Sequence, residues 1–490
     1  MSVPLPTEFV SILEKRLGSE NVQKEPSALI HFTRCRESVL RKLGMKVHDI
    51  MPDLAVTPTS TDDIKTLIEL ANTFKVPVIP FGATNVLNTW VVPTRGGVAV
   101  DFSKMQALTI NRDTMTVTVE PGVLTNELWA AFLKDPELEV WISGGPGQSR
   151  VIAQWTFGGI HKTGNVRFGR GYNYIVSVEM VLPDGTLLRT GSSAVPFHKD
   201  FWPHGPGPEL TYLPVLSHGE YGIVTKLSLK LNYKPAKRDY IMGVFKTKDS
   251  LYKALAAFTK IENGRAIRGL TQAPHGIIAP YSSDYFEMQQ RLQRAMPRLG
   301  FLVVAIEGTE RTVKYWLKKS KEVIEKYGGK VVPKEIVDVY NGYLDNISNA
   351  SIIRSSRIFR KWFLAGRWIS GSLHDLEAIQ KWEDVLLGLK VPWYRPWYGG
   401  LQLYGTQWNH YTFLEYLYAV DFENPESLAV LSVIPAWDNI RWRYNTGMHA
   451  EWKQRAAADI FGEYYALCLR VKKEIDPNNL MNPGIVFTTT

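Results

Sequence analysis

Cysteine is nearly absent: 490 residues contain two, Cys35 and Cys468, with no CxxC pair. That excludes a disulfide framework and a cysteine-based zinc site, and it is the usage of a reducing compartment, so a cytoplasmic location is expected. Long apolar runs are missing too. No stretch reaches the ~18 consecutive apolar residues that a membrane-spanning helix needs. The first residues, MSVPLPTEFVSILEKRLG, carry acids at helical spacing and lack the apolar core of a secretory leader, so a soluble chain is expected. There is no GK[ST] and no GxGxxG, which rules out a Walker loop and a Rossmann fingerprint. Metal-ligand spacing is absent. His198 and His204 flank an aromatic turn with no third ligand in view, so no metal is expected. Internal repeats and low-complexity tracts are absent as well.

What is present is an ordinary globular composition, 45% hydrophobic, with 15 Trp and 22 Tyr. At roughly 150 residues per domain the length predicts about two to three domains. The formal charge is +9, yet Lys and Arg are interleaved with Asp and Glu. The densest basic run, 314–326, has charges at turn spacing and reads as a solvated helix face. The excess favours an anionic cofactor or substrate over a nucleic-acid partner.

Periodicity gives the organisation. Residues 8–18 read as an amphipathic helix and 53–58 as a strand. The cluster Ser60, Thr61, Asp62, Asp63 caps the helix IKTLIELANTFK. Strands follow at 76–79, 97–102 and 115–120, and Thr125 is placed to cap the helix NELWAAFLK. Strands at 175–182 and in TLLRTG flank a Pro183-Asp184-Gly185 turn, which makes a hairpin, and 222–232 alternates as a strand up to a boundary at Pro235. Beyond it, strand and helix patterns repeat in IMGVFKT, DSLYKALAAFTKI, FLVVAIEG and 310–327. YTFLEYLYAVDF reads as a buried strand and 450–475 as helix. The expected fold class is α+β.

Two segments carry chemistry. VPVIPFGATN, residues 76–85, is a strand breaking into a tight turn of small and hydroxyl residues. Such a turn gathers main-chain N–H groups into a phosphate nest, with Gly82 free to bend and Thr84 and Asn85 adding donors. The bland alternative is one more strand and turn. In the second segment, WISGGPGQSRVIAQWTFGGIHKTGNVRFGRG, the glycines Gly144, Gly145, Gly147, Gly158, Gly159, Gly164 and Gly169 crowd into 26 residues. Glycine lets backbone approach a flat ligand. Val151, Trp155, Phe157 and Ile160 within it argue against a solvated linker. Histidines weigh both ways. His410 in TQWNHYTF can act as a general base or be a hydrogen-bonded core residue, and His161 reads more simply as a loop histidine. Trp393, Tyr394, Trp397, Tyr398, Tyr404 and Trp408 form either a pocket wall or a packed core.

In order along the chain, PVIPFGATN, VEPGV, the glycine stretch, VLPDGTLLRTGS, PHGPGP, EYGIVTK and DPNNLMNPG resemble the PCMH-type FAD-binding proteins. The likeness covers nearly the whole chain and is strongest to the vanillyl-alcohol oxidase and p-cresol methylhydroxylase branch. It implies a two-lobed FAD-binding domain over 1–235, an α+β cap domain with an antiparallel sheet over 236–440, and a tail, 441–490, that returns to the first domain. It implies that Pro80, Phe81, Gly82, Ala83, Thr84 and Asn85 wrap the FAD diphosphate, that Gly144 to Gly159 run along the flavin and ribityl chain, and that Gly164 also belongs to the cofactor site. It further implies that Gly222, Ile223 and Val224 present backbone to the cofactor and that Asn482 and Gly484 close over it. Tyr444 would be the catalytic tyrosine, followed by Asn445 where the phenol oxidases have arginine. Asn88 and Pro146 replace two further polar positions, so a para-substituted phenol is not the expected substrate. Near Arg360 no histidine or tyrosine stands ready for a covalent flavin link, so FAD is expected to be non-covalent. The metal-binding histidine pattern of the D-lactate dehydrogenase branch is missing. The resulting expectation is hydride removal from an alcohol or activated C–H compound, with oxygen, a quinone or a cytochrome as acceptor, in a homodimer or higher homo-oligomer. A D-2-hydroxy-acid dehydrogenase and a partner-dependent FAD subunit stand as alternatives.

Overall fold

In the computed structural model of the protein, the residues described are 5–33, 50–82, 93, 95–141, 147–156, 167, 171–259, 267–273, 301–338, 362–371, 400–405, 412–421 and 462–487. Their strands form three sheets.

The first sheet holds β1 (Val22–Gln23), β2 (Leu54–Val56), β4 (Val98–Asp101) and β3 (Val78–Phe81) in the order β1-β2-β4-β3. β2, β4 and β3 run parallel, and β1 is antiparallel to β2. Parallel neighbours need a crossover, which α2 (Thr61–Phe74) supplies between β2 and β3. Ser60 accepts the Asp63 N–H at 3.1 Å, and Asp62 and Asp63 face the positive end of the helix. Ile64, Leu67, Ile68 and Ala71 recur at helical spacing and are buried with Phe9 and Leu13 of α1 (Thr7–Leu17).

The second sheet has the order β5-β6-β10-β8-β9, with β7 also paired to β10. Its strands are β5 (Leu108–Asn111), β6 (Thr116–Val119), β7 (Leu138–Val140), β8 (Ile175–Val181), β9 (Leu187–Arg189) and β10 (Ile223–Tyr233). One face packs α3 (Thr125–Leu133) and α4 (Val151–Thr156) around Trp141, Trp155 and Tyr174, with Trp141 5.2 Å and 5.3 Å from the other two rings. Trp155 and Val151 from the glycine-dense stretch are thus core residues. The cap expected at Thr125 is corrected. Thr125 is already inside α3, and its hydroxyl donates across to Ser149 O at 2.9 Å. The Glu127 carboxylate instead accepts the Leu124 N–H, at 2.7 Å.

The third sheet takes all its strands from Lys237 to Asp421 and is antiparallel throughout, in the order β14-β11-β13-β12-β16-β17-β15. They are β11 (Lys237–Val244), β12 (Ile267–Ala273), β13 (Phe301–Gly308), β14 (Lys330–Val331), β15 (Trp362–Gly371), β16 (Gly400–Gly405) and β17 (Thr412–Asp421). α5 (Lys248–Thr259) and α6 (Glu310–Lys326) accompany it. α6 buries Val313, Trp316, Ser320 and Ile324 and turns its lysines outward. The mixed helix and sheet content is the α+β class. The strands β5 and β7 escape the sequence reading because neither has three apolar positions in alternation.

Candidate cofactor site

The end of β3, the helix α4, the turn at residues 214–222 and the segment after α7 (Glu463–Ile475) come together. Met481 bridges to Val78 in parallel. Val78 N–H donates to Leu480 O at 2.8 Å, and Asn482 N–H returns to Val78 O at 2.9 Å. The Asn482 amide donates to His218 O at 2.6 Å. Leu216 N–H donates to Thr156 O at 2.7 Å, which ties the same turn to the end of α4.

The turn is strained. Leu216 has φ 63° and His218 φ 52°, left-handed values that cost a bulky side chain energy and persist only where surrounding structure enforces them. Gly219, at φ 81°, lies so close to β3 that an added Cβ would stand 2.4 Å from Pro80 Cγ. Buried His218 is held neutral, its imidazole pKa brought down to about 3 by desolvation. Glu220 is fully buried. Burial pushes its carboxyl up to about 7, against the pull of Lys472 and of main-chain donors from Val486, Phe487 and Ile485. A second buried group lies behind it. The Lys472 ammonium donates to Asp476 Oδ2 (2.6 Å), Glu220 O (2.7 Å) and Met481 O (3.0 Å). Sequence reading missed this network. The Lys472–Asp476 spacing of four on α7 was visible, but nothing in sequence ties either residue to Glu220.

The backbone here is shaped for close approach. At Gly82 an added Cβ would meet Ala153 Cβ at 3.0 Å, and at Gly147 it would meet Asn126 Oδ1 at 1.8 Å. Asn126 Oδ1 and Ser149 Oγ, beside Gly147, are buried with no hydrogen-bond partner among the described residues. The glycines let these segments pack tightly on Ala153 and Asn126, and the buried polar atoms beside Gly147 keep bonding capacity that fits a polar ligand such as FAD.

Of the residues the sequence singles out, Pro80, Phe81, Gly82, Gly147, Asn482 and Gly484 fall in or next to this assembly. Gly222, Ile223 and Val224 open β10, where Ile223 pairs with Val181 and Val224 with Met180. An added Cβ on Gly222 would stand 2.5 Å from Val181 O. Ile223 packs into the core of the first sheet and Val224 into that of the second, so these residues join the two lobes. Ala83, Thr84, Asn85, Gly144, Gly145, Gly158, Gly159, Gly164, Asn88, Pro146, Arg360, His410, Tyr444 and Asn445 lie outside the described residues. No group of three or more His, Cys, Asp or Glu stands ready for a metal among the described residues. Likewise, no helix among them is long and apolar enough to cross a membrane.

A second charged cluster joins the second and third sheets. Arg238 on β11 donates to Glu139 of β7 at 2.9 Å and to Glu307 of β13 at 3.2 Å, and Arg167 also donates to Glu307. Burial disfavours a charged Arg238, but Glu139 and Glu307 outweigh it and raise its pKa above the usual value.

Two lobes meeting at a glycine-shaped seam, with a separate antiparallel sheet, make the fold of the PCMH-type FAD-binding flavoproteins. The FAD binding domain family matches residues 52–191, a stretch that contains β2 to β9. A probable mitochondrial D-lactate dehydrogenase of Danio rerio is 33% identical over 181 residues, 37% of this chain and 35% of that protein. The glycolate oxidase subunit GlcD of Bacillus subtilis is 30% identical over 206 residues, 41% of each chain. These matches therefore span well under half the length of the curated relatives. Among solved structures, substrate-bound p-cresol methylhydroxylase superposes with a TM-score of 0.79 at 17% identity, covering 99% of this chain and 98% of that one. The 4-ethylphenol oxidase of Gulosibacter chungangensis in its isoeugenol complex gives 0.79 at 14%, with the same coverage. At such identities the likeness is one of fold.

Proposed function

We propose that the chain is an FAD-dependent oxidoreductase that removes a hydride from an organic substrate, an alcohol or an activated C–H compound. The observation that carries this is the FAD binding domain match over 52–191, a stretch whose strand β3 ends at the seam where the turn 214–222 and the tail converge. Bound FAD supplies a two-electron acceptor at its N5. The protein's share is to bind and orient. Main chain at Pro80, Phe81 and Gly82 leads into the segment that would hold the diphosphate, and Asn482 backs that strand from the other side. As the carbon of an alcohol gives up hydride, its hydroxyl gives its proton to His410, which we assign as the general base; Tyr444, followed in sequence by Asn445, is the residue we assign to the polar contact with that oxygen. Asn445 offers a neutral amide where an arginine would stabilise a phenolate, which turns the reading away from phenols within the vanillyl-alcohol oxidase branch. The division into 1–235, 236–440 and 441–490, non-covalent FAD and a homo-oligomer belong to the same reading.

A second reading, a D-2-hydroxy-acid dehydrogenase feeding a quinone or cytochrome, is favoured by the names of the relatives matched over the FAD domain. One experiment separates them. Purified protein is expected to be yellow, to release its flavin into the supernatant on acid precipitation, and to bleach anaerobically with one class in a panel of alcohols, phenols and D-2-hydroxy acids. Colourless protein that takes up no FAD ends both readings.

A further inference from the structure

We propose that Lys472 is a positioning residue for the cofactor site: by gathering Asp476, Glu220 O and Met481 O it sets where Asn482 stands against β3, and so governs how tightly FAD is held. This role rests on the FAD reading above.

An ammonium group has three N–H donors, and Lys472, fully buried, places each on a different segment. Asp476 Oδ2, at 2.6 Å, ends α7; Glu220 O, at 2.7 Å, is in the strained turn; Met481 O, at 3.0 Å, is in the tail. Asp476 in turn accepts the N–H groups of Leu480 (3.0 Å) and Met481 (2.9 Å), which folds DPNNLM back over the helix end. On the far side, the Glu220 carboxylate accepts N–H groups from Ile485 (3.1 Å), Val486 and Phe487 (3.2 Å). Asn482 therefore stands between two anchored points, Met481 and Ile485. Its N–H bonds Val78 O and its amide bonds His218 O, two residues before Pro80 and one before Gly219.

A buried ion pair is a poor way to gain stability, because an apolar pair of equal volume often does as well. What an apolar pair cannot do is donate to two carbonyls on two separate segments. That separates a positioning role from a packing role. In Lys472→Met the Asp476 charge is left buried and uncompensated. In Lys472→Met/Asp476→Asn that charge is gone and one of the two oxygens that accept from Leu480 and Met481 is kept, but the links to Glu220 O and Met481 O are still missing.

The test compares the full-length native protein, both variants and Asn482→Ala, after flavin removal, by thermal midpoint and by FAD titration followed through flavin fluorescence and the visible spectrum. The double variant is expected to recover much of the midpoint lost in Lys472→Met. Its FAD dissociation constant is expected to stay on the order of tenfold above native, the range of a lost charged hydrogen bond, with an altered bound-flavin spectrum. Asn482→Ala, which touches no buried charge but loses the amide bond to His218 O and puts alanine at φ 41°, is expected to weaken FAD by a similar factor with a smaller midpoint loss than Lys472→Met. Recovery of FAD affinity together with the midpoint in the double variant overturns the role. So does native affinity in Asn482→Ala, which decides the matter alone if the double variant does not fold. Native protein that binds no FAD removes the FAD reading itself, and the role with it.

Discussion

The two buried charge networks solve different problems. At the tail, one compact ammonium is shared among one carboxylate and two main-chain carbonyls, so its charge is spent on folding three segments together. At the junction of the second and third sheets, planar guanidinium groups meet carboxylates, and Arg238 reaches Glu139 on one sheet and Glu307 on the other. A rigid fork suits two carboxylates, whereas a point charge with three rotatable donors suits scattered carbonyls. The first network shapes a local site. The second orients one body against another. Lys and Arg are not interchangeable between them.

The sharpest way to break the comparison is at Lys472. Lys472→Met leaves Asp476, itself buried, without its cation and strands two carbonyls. Breaking one partner of a buried pair costs about 3–5 kcal/mol, so a urea midpoint shift of that size is expected, with m unchanged. A shift below about 1 kcal/mol would mean that water reaches the group.

Arg238→Leu is next. Glu307 is fully buried but keeps Arg167, so the loss is expected to be smaller, about 2–3 kcal/mol. Because the partners stand on separate sheets, the loss should appear in calorimetry as two transitions where the native protein shows one. A single transition at lower temperature would make this cluster another local lock, and the contrast with the tail would vanish.

Much of this was legible in the sequence. Ser60 and its two aspartates, the run Ile64 to Ala71 and the alternation in β10 are local patterns, and local patterns survive in sequence. The strand that ends at Phe81 and the tail segment with Asn482 were both picked out by motif order, and the fold brings them together. What was not legible is what unites distant residues. Glu220 and Lys472 lie 252 positions apart, and nothing in the sequence marks the glutamate of EYG as buried. Leu216 gave no signal of its left-handed backbone, since leucine does not favour it, and His218 carried only the weak preference that histidine shares with Asn and Asp. Thr125 misled for a related reason: its hydroxyl finds a better acceptor across the lobe, at Ser149 O, than at its own helix end.

A smaller perturbation probes how the strained turn serves the tail network. Gly219→Ala forces a side chain onto a residue at φ 81° and drives its Cβ toward Pro80. A left-handed non-glycine costs about 1–2 kcal/mol, and the contact with the proline ring adds to it, so about 2 kcal/mol of destabilisation is expected by thermal unfolding. FAD retention should fall along with stability, because the displaced atom is Pro80. The same substitution at exposed Gly207, where an added Cβ meets nothing within 4 Å, is the control and is expected to be silent.

The smallest expected effect is acid sensitivity, and its sign separates the two titrating groups of the turn. The His218 pKa falls from 6.5 to about 3 on folding, so its contribution is present above 6.5 and is lost as pH falls toward 3. The Glu220 pKa rises from 4.5 to about 7, so its contribution is full below 4.5 and is lost as pH rises toward 7. Between 4.5 and 6.5 the two slopes oppose each other and nearly cancel; below 4.5 only that of His218 remains. One proton contributes about 1.4 kcal/mol per pH unit, so between about pH 4.5 and 3.5 the native protein should lose roughly that much more stability than His218→Gln, by urea unfolding at each pH. The two proteins falling in parallel would place the imidazole in contact with water, and the turn could not then be the dry floor against which Asn482 is set. The same difference is expected in an Arg238→Leu background, which would keep the two networks energetically separate.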